Sequence, residues 1–216
     1  MVNDEELNGA VLLDIMKVQV PKPSTVELPL WYKGQVMKSS FDCPKSSSIL
    51  APLGDDFGYQ HIWKESDCSV EGEVIQFNWF NDNRFYTMTA VGEKGEEIIM
   101  GRTGANDPNY NLRPDPVLIQ KRKEVRSTSF ISVIEPHGEY SRITEISDTP
   151  YARIQSVRKI YEDENYIIVE LSTGSSAWTV MLCTSTHAKD KTHTITVANQ
   201  TYEWQGVTQI KKETIR

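Results

Sequence analysis

The sequence lacks the features of a membrane protein and of a general nucleic-acid binder. No apolar run in its 216 residues approaches the roughly 18 residues that cross a membrane. The N-terminal stretch MVNDEELNGA is acidic and lacks the basic start and apolar core of a signal peptide, so we expect a soluble chain that carries no export signal. The net charge of −7 is spread over many short segments, which argues against nucleic acid as a partner.

Signals for metals and cofactors are also missing. Cys43, Cys68 and Cys183 are widely spaced and form no CxxC pair, which argues against a structural zinc site. A single Cys43–Cys68 disulfide and three free thiols both remain open. No phosphate-binding loop, GxSxG elbow or dinucleotide fingerprint is present. No HxH or HExxH spacing joins the four histidines, His61, His137, His187 and His193. We therefore expect no metal and no cofactor.

Long helical patterns are scarce, whereas short extended patterns are common. From Glu73 onward, the segments EVIQFNWF, RFYTMTAV and EEIIMGRT are separated by Asn81-Asp82-Asn83 and by a turn at Gly95. This spacing predicts an antiparallel meander. About a dozen such strands at turn-marked intervals predict an all-β fold, an antiparallel β-sandwich with two sheets packed face to face in a single domain.

The N-terminal region is predicted to contribute one hairpin. Residues 1–10 are polar and are expected to form a flexible tail, with the folded domain covering residues 11–216. Residues 11–20 and 27–38 are both extended in pattern and are separated by a Pro-Lys-Pro run. We interpret them as two strands of a long hairpin.

The most informative stretch is TSFISVIEPHG, residues 128–138. Both faces of this strand are apolar in the middle, and only one becomes polar, where Glu135 and His137 stand two residues apart. One interpretation is a buried strand that delivers a carboxylate and an imidazole to the rim of a binding site. The other is a core strand that ends in a solvated Pro-His-Gly turn.

Two further stretches contain candidate binding residues. Residues 59–64 place Tyr59, His61 and Trp63 on one face, which suits either a stacked sugar ring or a sandwich core. The loop at residues 104–116 is rich in turn formers, including those in its ANDPN run. It is either a surface turn or a polar shelf from which Arg113 makes a two-point contact with a carboxylate.

Several of these stretches together resemble a known family. The similarity covers about residues 11–210 and is carried by WYKGQ (31–35), PLG and GYQHIW (52–63), NWFNDNRFYTMT (78–89), RTGANDPNYNLRPDPVLI (102–119) and TSFISVIEPHG (128–138). These runs resemble the C-terminal β-sheet region of heparinase II/III-like polysaccharide lyases, and in particular the alginate and oligoalginate lyases of polysaccharide lyase family 17.

The resemblance implies a module of an exported enzyme. In such lyases a helical toroid and the first part of the β region hold the catalytic groups and a structural metal, so we expect no catalytic residue in this chain. The resemblance implies that Glu135 accepts hydrogen bonds from sugar hydroxyls, with His137 beside it. The expected substrate-binding residues are Glu135, His137, Arg113, Asn106 and His61.

The partners implied are an acidic polysaccharide or oligosaccharide and either a separate helical toroid or a second copy of the chain. Two alternatives to a lyase module remain. One is a free-standing carbohydrate-binding module that uses Tyr59, Trp63 and Arg113. The other is a structural or assembly domain, for which exposed strands predict self-dimerisation.

Overall fold

The computed structural model describes residues 1–7, 9–44, 51–109, 111 and 113–215, and it confirms the all-β prediction. Within these residues there are sixteen strands and two short 3₁₀ turns, Glu5–Leu7 and Tyr59–His61. The strands are β1 (Val2–Asp4), β2 (Gly9–Trp31), β3 (Gln35–Ser39), β4 (Ala51–Pro52), β5 (Ile62–Ser69), β6 (Val74–Asn81), β7 (Arg84–Val91), β8 (Glu97–Thr103), β9 (Pro116–Ser141), β10 (Ile146–Asp148), β11 (Ser156–Glu162), β12 (Tyr166–Ser172), β13 (Ser176–Cys183), β14 (Thr192–Val197), β15 (Gln200–Gln205) and β16 (Thr208–Thr214).

The 26-residue strand β9 organises the larger sheet. Ten strands belong to this sheet, and its main path runs β3-β6-β7-β9-β8-β5-β4. On one side β9 pairs with β2 along most of its length. On the other side it pairs first with β8 and then with β7. Residues 116–141 therefore form one continuous strand, which passes through Glu124 at a φ of 55°.

The larger sheet curls until its two ends meet. A bridge joins Asp42, just beyond β3, to Ser69 at the end of β5. A disulfide between Cys43 and Cys68 lies beside this bridge, and Cys183 is a buried free thiol. The curl encloses an aromatic core, because Phe77 of β6 packs against both Tyr32 and Phe41. The structure thus selects the disulfide from the alternatives that the cysteine spacing left open.

A second sheet covers the outer face of the curled one. It has four strands in the order β11-β12-β13-β16, all antiparallel. Its apolar residues pack with Ile131 and Val133 of β9 in a core that includes the buried Trp178. The hairpin β14-β15 packs against a further cluster that contains Met181 and Trp204. Glu135 and His137 continue the same alternating face of β9 as Val133, so they point toward the second sheet and the chain that leads into it.

The prediction of an N-terminal hairpin is wrong. Residues 9–31 form the single strand β2, which pairs with β9 from Leu12 to Trp31. The proline-rich run interrupts this pairing, since the register shifts between Gln19 and Ser24 and again before Val26. Prolines are tolerated there because β2 has no neighbour on its other side beyond its short pairing with β1 among the described strands, so the missing N–H groups break few ladder bonds.

The N-terminal segment also differs from the expected flexible tail. Strand β1 pairs with the start of β2, and Val2 and Leu7 are buried in the core between the two sheets. The Glu6 carboxylate accepts hydrogen bonds from Thr173, Ser175 and Ser176, which lower its pKa to about 2. Composition suggests a loose end, but two apolar side chains and one carboxylate fasten this segment to the second sheet.

Candidate functional site

A groove of about 470 Å³ lies where the outer face of β3, β6 and β7 meets the chain that follows β10. We call this chain the covering segment and define it as residues 149–155. The floor of the groove combines polar side chains with the ring of Phe85, and one wall belongs to the covering segment. The residues that line it are Met37, Lys38, Ser39, Ser40, Gln76, Asn78, Phe85, Thr87, Pro150, Tyr151, Ala152 and Gln155.

The floor is positioned by strand register. Asn78 pairs with Thr87, and Thr87 pairs with Glu135, so the three side chains share one face of the sheet. Phe85 pairs with His137 in the same way, and the two rings stack with centroids 6.2 Å apart. The curled sheet therefore brings the polar end of the TSFISVIEPHG strand directly behind the groove.

A chain of hydrogen bonds runs from the groove floor through His137 to the covering segment. His137 Nδ1 lies 3.0 Å from the carbonyl oxygen of Thr149, which can only accept, so Nδ1 carries the proton. Nε2 is then the acceptor for the Thr87 hydroxyl at 2.9 Å. Asn78 Nδ2 donates to Thr87 Oγ1 at 2.8 Å. Because His137 is only 3% exposed and both its ring nitrogens are bonded, it orients the floor rather than entering the groove.

Glu135 lies behind the covering segment and is 1% exposed. Its two carboxylate oxygens accept the backbone N–H of Arg153 at 2.9 and 3.0 Å, and one of them also accepts the N–H of Ile154 at 3.0 Å. A sugar hydroxyl could reach these oxygens only if the segment moved away. Direct contact of Glu135 with a sugar therefore stays a prediction, whereas its bonds to the protein backbone are a feature of the structure.

Gln76, Asn78 and a glycine of β9 also hold the covering segment against the larger sheet. Gln76 Nε2 donates to the carbonyl of Ile154 at 3.1 Å, and Asn78 Nδ2 lies 3.4 Å from the carbonyl of Pro150. Gly138 has a φ of 50°, and a Cβ placed on it would lie 2.1 Å from the Thr149 carbonyl oxygen. Only glycine allows the backbone of the segment to approach β9 this closely.

The rim of the groove provides an aromatic ring and a positive charge. Tyr151 is 72% exposed at the edge of the covering segment. Lys38 lines the opposite side, and no ion pair joins it to another described residue. The described lining residues include no Asp or Glu. An exposed ring, amide and hydroxyl groups and one unpaired cation suit a polar, ring-shaped ligand that bears negative charge.

The other predicted site residues lie elsewhere, beside the first half of β9. His61 Nδ1 lies 3.3 Å from the carbonyl of Ala105, and the carbonyl of His61 accepts the N–H of Gly104 at 2.9 Å. Asn106 is exposed at a turn with a φ of 54°. His61 and the loop that contains Asn106 are thus neighbours in space, but neither residue lines the groove.

Arg113 also lies outside the groove. Its Nε is 3.1 Å from Oδ1 of Asp115, and the side chain is 71% exposed. The Thr103 hydroxyl donates to the carbonyl of Arg113, and the same hydroxyl oxygen accepts the N–H of Asp115 at 2.9 Å. These bonds are the local ones of a surface turn. A two-point contact of Arg113 with a ligand carboxylate remains a prediction.

The aromatic face at residues 59–64 is partly taken up by contacts with other residues of the chain. The Tyr59 hydroxyl donates to the carboxylate of Glu27, which in turn pairs with Lys121 at 2.9 Å. Burial and this carboxylate raise the pKa of Tyr59 to about 12. Trp63 lies in β5 and is partly buried, opposite Pro52 and Arg102 in neighbouring strands.

Lys38, Asn78 and Tyr151 are the site residues that sequence reasoning misses. Asn78 is visible as a polar residue inside the strand EVIQFNWF, where alternation places it opposite the buried Phe77 and Trp79. Tyr151 lies in the covering segment, ahead of the strand that begins at Ser156. No local pattern connects these residues, because they come from β3, β6 and the covering segment.

Other kinds of site are not found in the described part of the chain. It contains no cluster of three or more His, Cys, Asp or Glu side chains placed to hold a metal ion. None of its helical segments has the length and apolar character of a membrane-crossing helix.

The fold and the groove define an all-β sandwich with a cleft of mixed polar and apolar lining, walled by an exposed tyrosine. No protein-family model matches the chain. Its sequence is 32% identical over 215 residues to an exo-oligoalginate lyase of Saccharophagus degradans, and the match covers 97% of this chain and 29% of that protein. It is 30% identical over 206 residues to an alginate lyase of Stenotrophomonas maltophilia, with 95% and 28% coverage. The chain is therefore related in sequence to alginate lyases, and it spans less than a third of the length of these relatives.

Proposed function

We propose that this chain is the C-terminal β-sandwich module of a uronan lyase of the heparinase II/III-like kind and that its groove binds an acidic oligosaccharide. The sequence relationship to alginate lyases supports the class of parent enzyme. The coverage of less than a third of each relative supports a module rather than a whole enzyme. On this proposal residues 11–216 correspond to the family's β domain.

The observation that carries the ligand proposal is the charge of the groove. The chain has a net charge of −7, yet the described lining residues contain one lysine and no carboxylate. A locally positive cleft attracts an anionic ligand even on an acidic protein. Lys38 would face a uronate carboxylate, Tyr151 would stack on a sugar ring, and the side chains of Asn78 and Gln155 would bond to hydroxyls.

The module does not break glycosidic bonds by itself. Elimination needs a base, an acid and a group that neutralises the carboxylate together in one cleft. Among the described residues, the titratable side chains that line the groove are Lys38 and Tyr151, and His137 behind it uses both ring nitrogens in protein bonds. We infer that the chain binds and positions the substrate while the catalytic groups come from a helical toroid. If the chain were instead a purely structural domain, we would expect it to form a dimer with a second copy of itself.

Two measurements on the isolated chain test this proposal. We expect no rise in unsaturated-uronate absorbance with alginate, and measurable heat in calorimetry with alginate oligosaccharides but little with neutral glucan oligosaccharides. Lys38→Gln should weaken alginate binding about tenfold, the usual size of one lost charged contact. The matched control Lys22→Gln also removes one exposed cation, at a position that does not line the groove, and should leave binding unchanged. Elimination by the chain alone would contradict the assignment as a non-catalytic module.

A carbohydrate-binding module that acts without a lyase is the second candidate, and the self-contained groove favours it. The version of this candidate expected from the sequence uses Tyr59, Trp63 and Arg113, which do not line the groove. Binding of alginate oligosaccharides that is unaffected by Lys38→Gln but lost in Arg113→Gln would favour that version. Absence of heat with every acidic oligosaccharide would remove both candidates.

The disulfide agrees with the exported parent that the resemblance implies. Disulfides persist in oxidising compartments and are rare where thiols are kept reduced. The Cys43–Cys68 bridge closes the curled sheet at its edge, and it leaves Cys183 as the single free thiol. We expect thiol titration of the denatured, unreduced protein to find one reactive thiol per chain. Three reactive thiols in protein made in the periplasm would contradict this expectation.

A further inference from the structure

The covering segment has no regular secondary structure, and yet its backbone is held at several points by the side chains of one strand face. His137 holds the carbonyl of Thr149, and Glu135 holds the N–H groups of Arg153 and Ile154. Gln76 holds the carbonyl of Ile154 from β6. Buried side-chain bonds of this kind exclude water and restrict the backbone to one path.

The attachment has a consequence for the groove wall. Tyr151 and Ala152 on one side and Gln155 on the other are lining residues that flank the part of the segment that Glu135 holds. Glu135 itself is buried and does not line the groove. Its carboxylate makes hydrogen bonds to N–H groups that have no strand partner, and bonds from a charged acceptor are stronger than neutral ones. The backbone that carries Tyr151 is therefore held, two residues further along, by an acidic group on the far side of the segment.

We propose that Glu135 is a positioning residue, which places Tyr151 for ligand binding by holding the backbone of the covering segment, with His137 and Gly138 in the same role. This inference rests on the proposed oligosaccharide site and assigns a role to the Glu-Pro-His-Gly sequence at residues 135–138 that differs from sugar contact. Glu135 acts on the ligand only through Tyr151. The covering segment lines the groove, whereas the Glu135 carboxylate lies behind that segment.

The first part of the experiment needs no ligand. Glu135→Gln keeps the shape of the side chain but replaces one acceptor oxygen with an NH₂ group, which faces backbone N–H donors. We expect amide hydrogen exchange at Arg153 and Ile154 to accelerate at least about tenfold, as for a locally opened segment. Glu139→Gln removes the same charge from an exposed position on the same strand and should leave these amides unchanged. Unchanged exchange in Glu135→Gln would overturn the proposed attachment.

The second part measures affinity for alginate oligosaccharides by calorimetry in a double-mutant cycle. Tyr151→Ala and Glu135→Gln should each weaken binding about tenfold, the scale of one aromatic contact. Because both changes remove the same contact, the double variant should bind within about twofold of Tyr151→Ala alone. Losses that multiply in the double variant, or an unchanged affinity in Glu135→Gln, would show that Glu135 does not act through Tyr151.

The outcomes separate this inference from the proposed function. If the wild-type chain binds no acidic oligosaccharide, the proposed function fails and the positioning role fails with it. If the wild type binds but the two losses multiply, only the positioning role fails. Should Glu135→Gln fail to fold by circular dichroism, His137→Gln replaces it in the cycle, because it removes the bond to the Thr149 carbonyl while a side-chain amide still reaches Thr87.

Discussion

Two irregular segments border the larger sheet, residues 149–155 and 104–115, and they are held in different ways. The covering segment is bonded by buried side chains of β6 and β9, namely Gln76, Asn78, Glu135 and His137. In the described part of the other segment, the bonds are made within the loop, to the adjacent His61 or to Thr103 at the end of β8.

The difference shows that the composition of a loop is a poor guide to a binding site. The loop at 104–115 is the more polar of the two in sequence, and its Asp107 and Arg113 side chains bond within the loop itself, to the N–H of Asn109 and to Asp115. The sequence of the covering segment, TPYARIQ, contains no comparable run of turn formers. The covering segment forms a groove wall because the strand face beneath it presents polar side chains that form hydrogen bonds with the backbone of the segment.

The largest expected effect comes from glycine substitutions that differ in the space around them. In Gly138→Ala the new Cβ would lie 2.1 Å from the Thr149 carbonyl oxygen, so β9 and the covering segment must separate. We expect the free energy of unfolding to fall by roughly 3 kcal/mol or more, since strain and lost buried bonds add. Urea denaturation measures this change.

Gly58→Ala provides the control beside the other loop. Gly58 also has a positive φ, 93°, and it precedes the 3₁₀ turn that holds His61, but a Cβ placed on it would meet nothing within 4 Å. Only backbone strain applies, so about 1 kcal/mol should be lost. Equal losses at the two positions would mean that the close approach at Gly138 contributes little to stability.

A smaller effect is expected at the N-terminal segment, which a carboxylate fastens to the second sheet. Hydrogen bonds from Ser175, Ser176 and Thr173 lower the pKa of Glu6 from its ordinary value of 4.5 to about 2. A lowered pKa means that ionised Glu6 stabilises the fold in full above pH 4.5 and that this stability is lost as the pH falls toward 2. We expect the protection of the β1 amides, expressed relative to the intrinsic exchange rate at each pH, to fall over that interval, as measured by hydrogen exchange.

The control for this pH effect is Glu6→Gln, which cannot ionise. The variant should show lower protection of the β1 amides already at neutral pH, and little further loss of protection from pH 4.5 down to 2 apart from the loss due to Asp4. The pKa of Asp4 is also lowered, chiefly by its hydrogen bond from Lys212. Part of the pH effect therefore remains in the Glu6→Gln variant. A full pH response in Glu6→Gln would assign the effect to other groups.

The strand pattern predicts the fold class well and the strand boundaries less well. The strand β6 is recognisable because its buried residues alternate along the chain, whereas β7 and β12 are buried over most of their length. The unbroken length of β2 and β9 is not recognisable, since Pro21 and Glu124 interrupt the pattern without ending the pairing. Local sequence does not show that a neighbouring strand continues through an irregularity.

The candidate site, too, could be predicted from the sequence only in part. The sequence alone determined that Glu135 and His137 share one face at the polar end of a buried strand, because side chains on a strand alternate with a period of two. Only the tertiary structure decided that the backbone of residues 149–155 would occupy that face and that Lys38 and Tyr151 would meet across a groove. The curl of the sheet and the path of the chain after β10 bring these residues together, and such long-range contacts leave no periodic signal in the sequence.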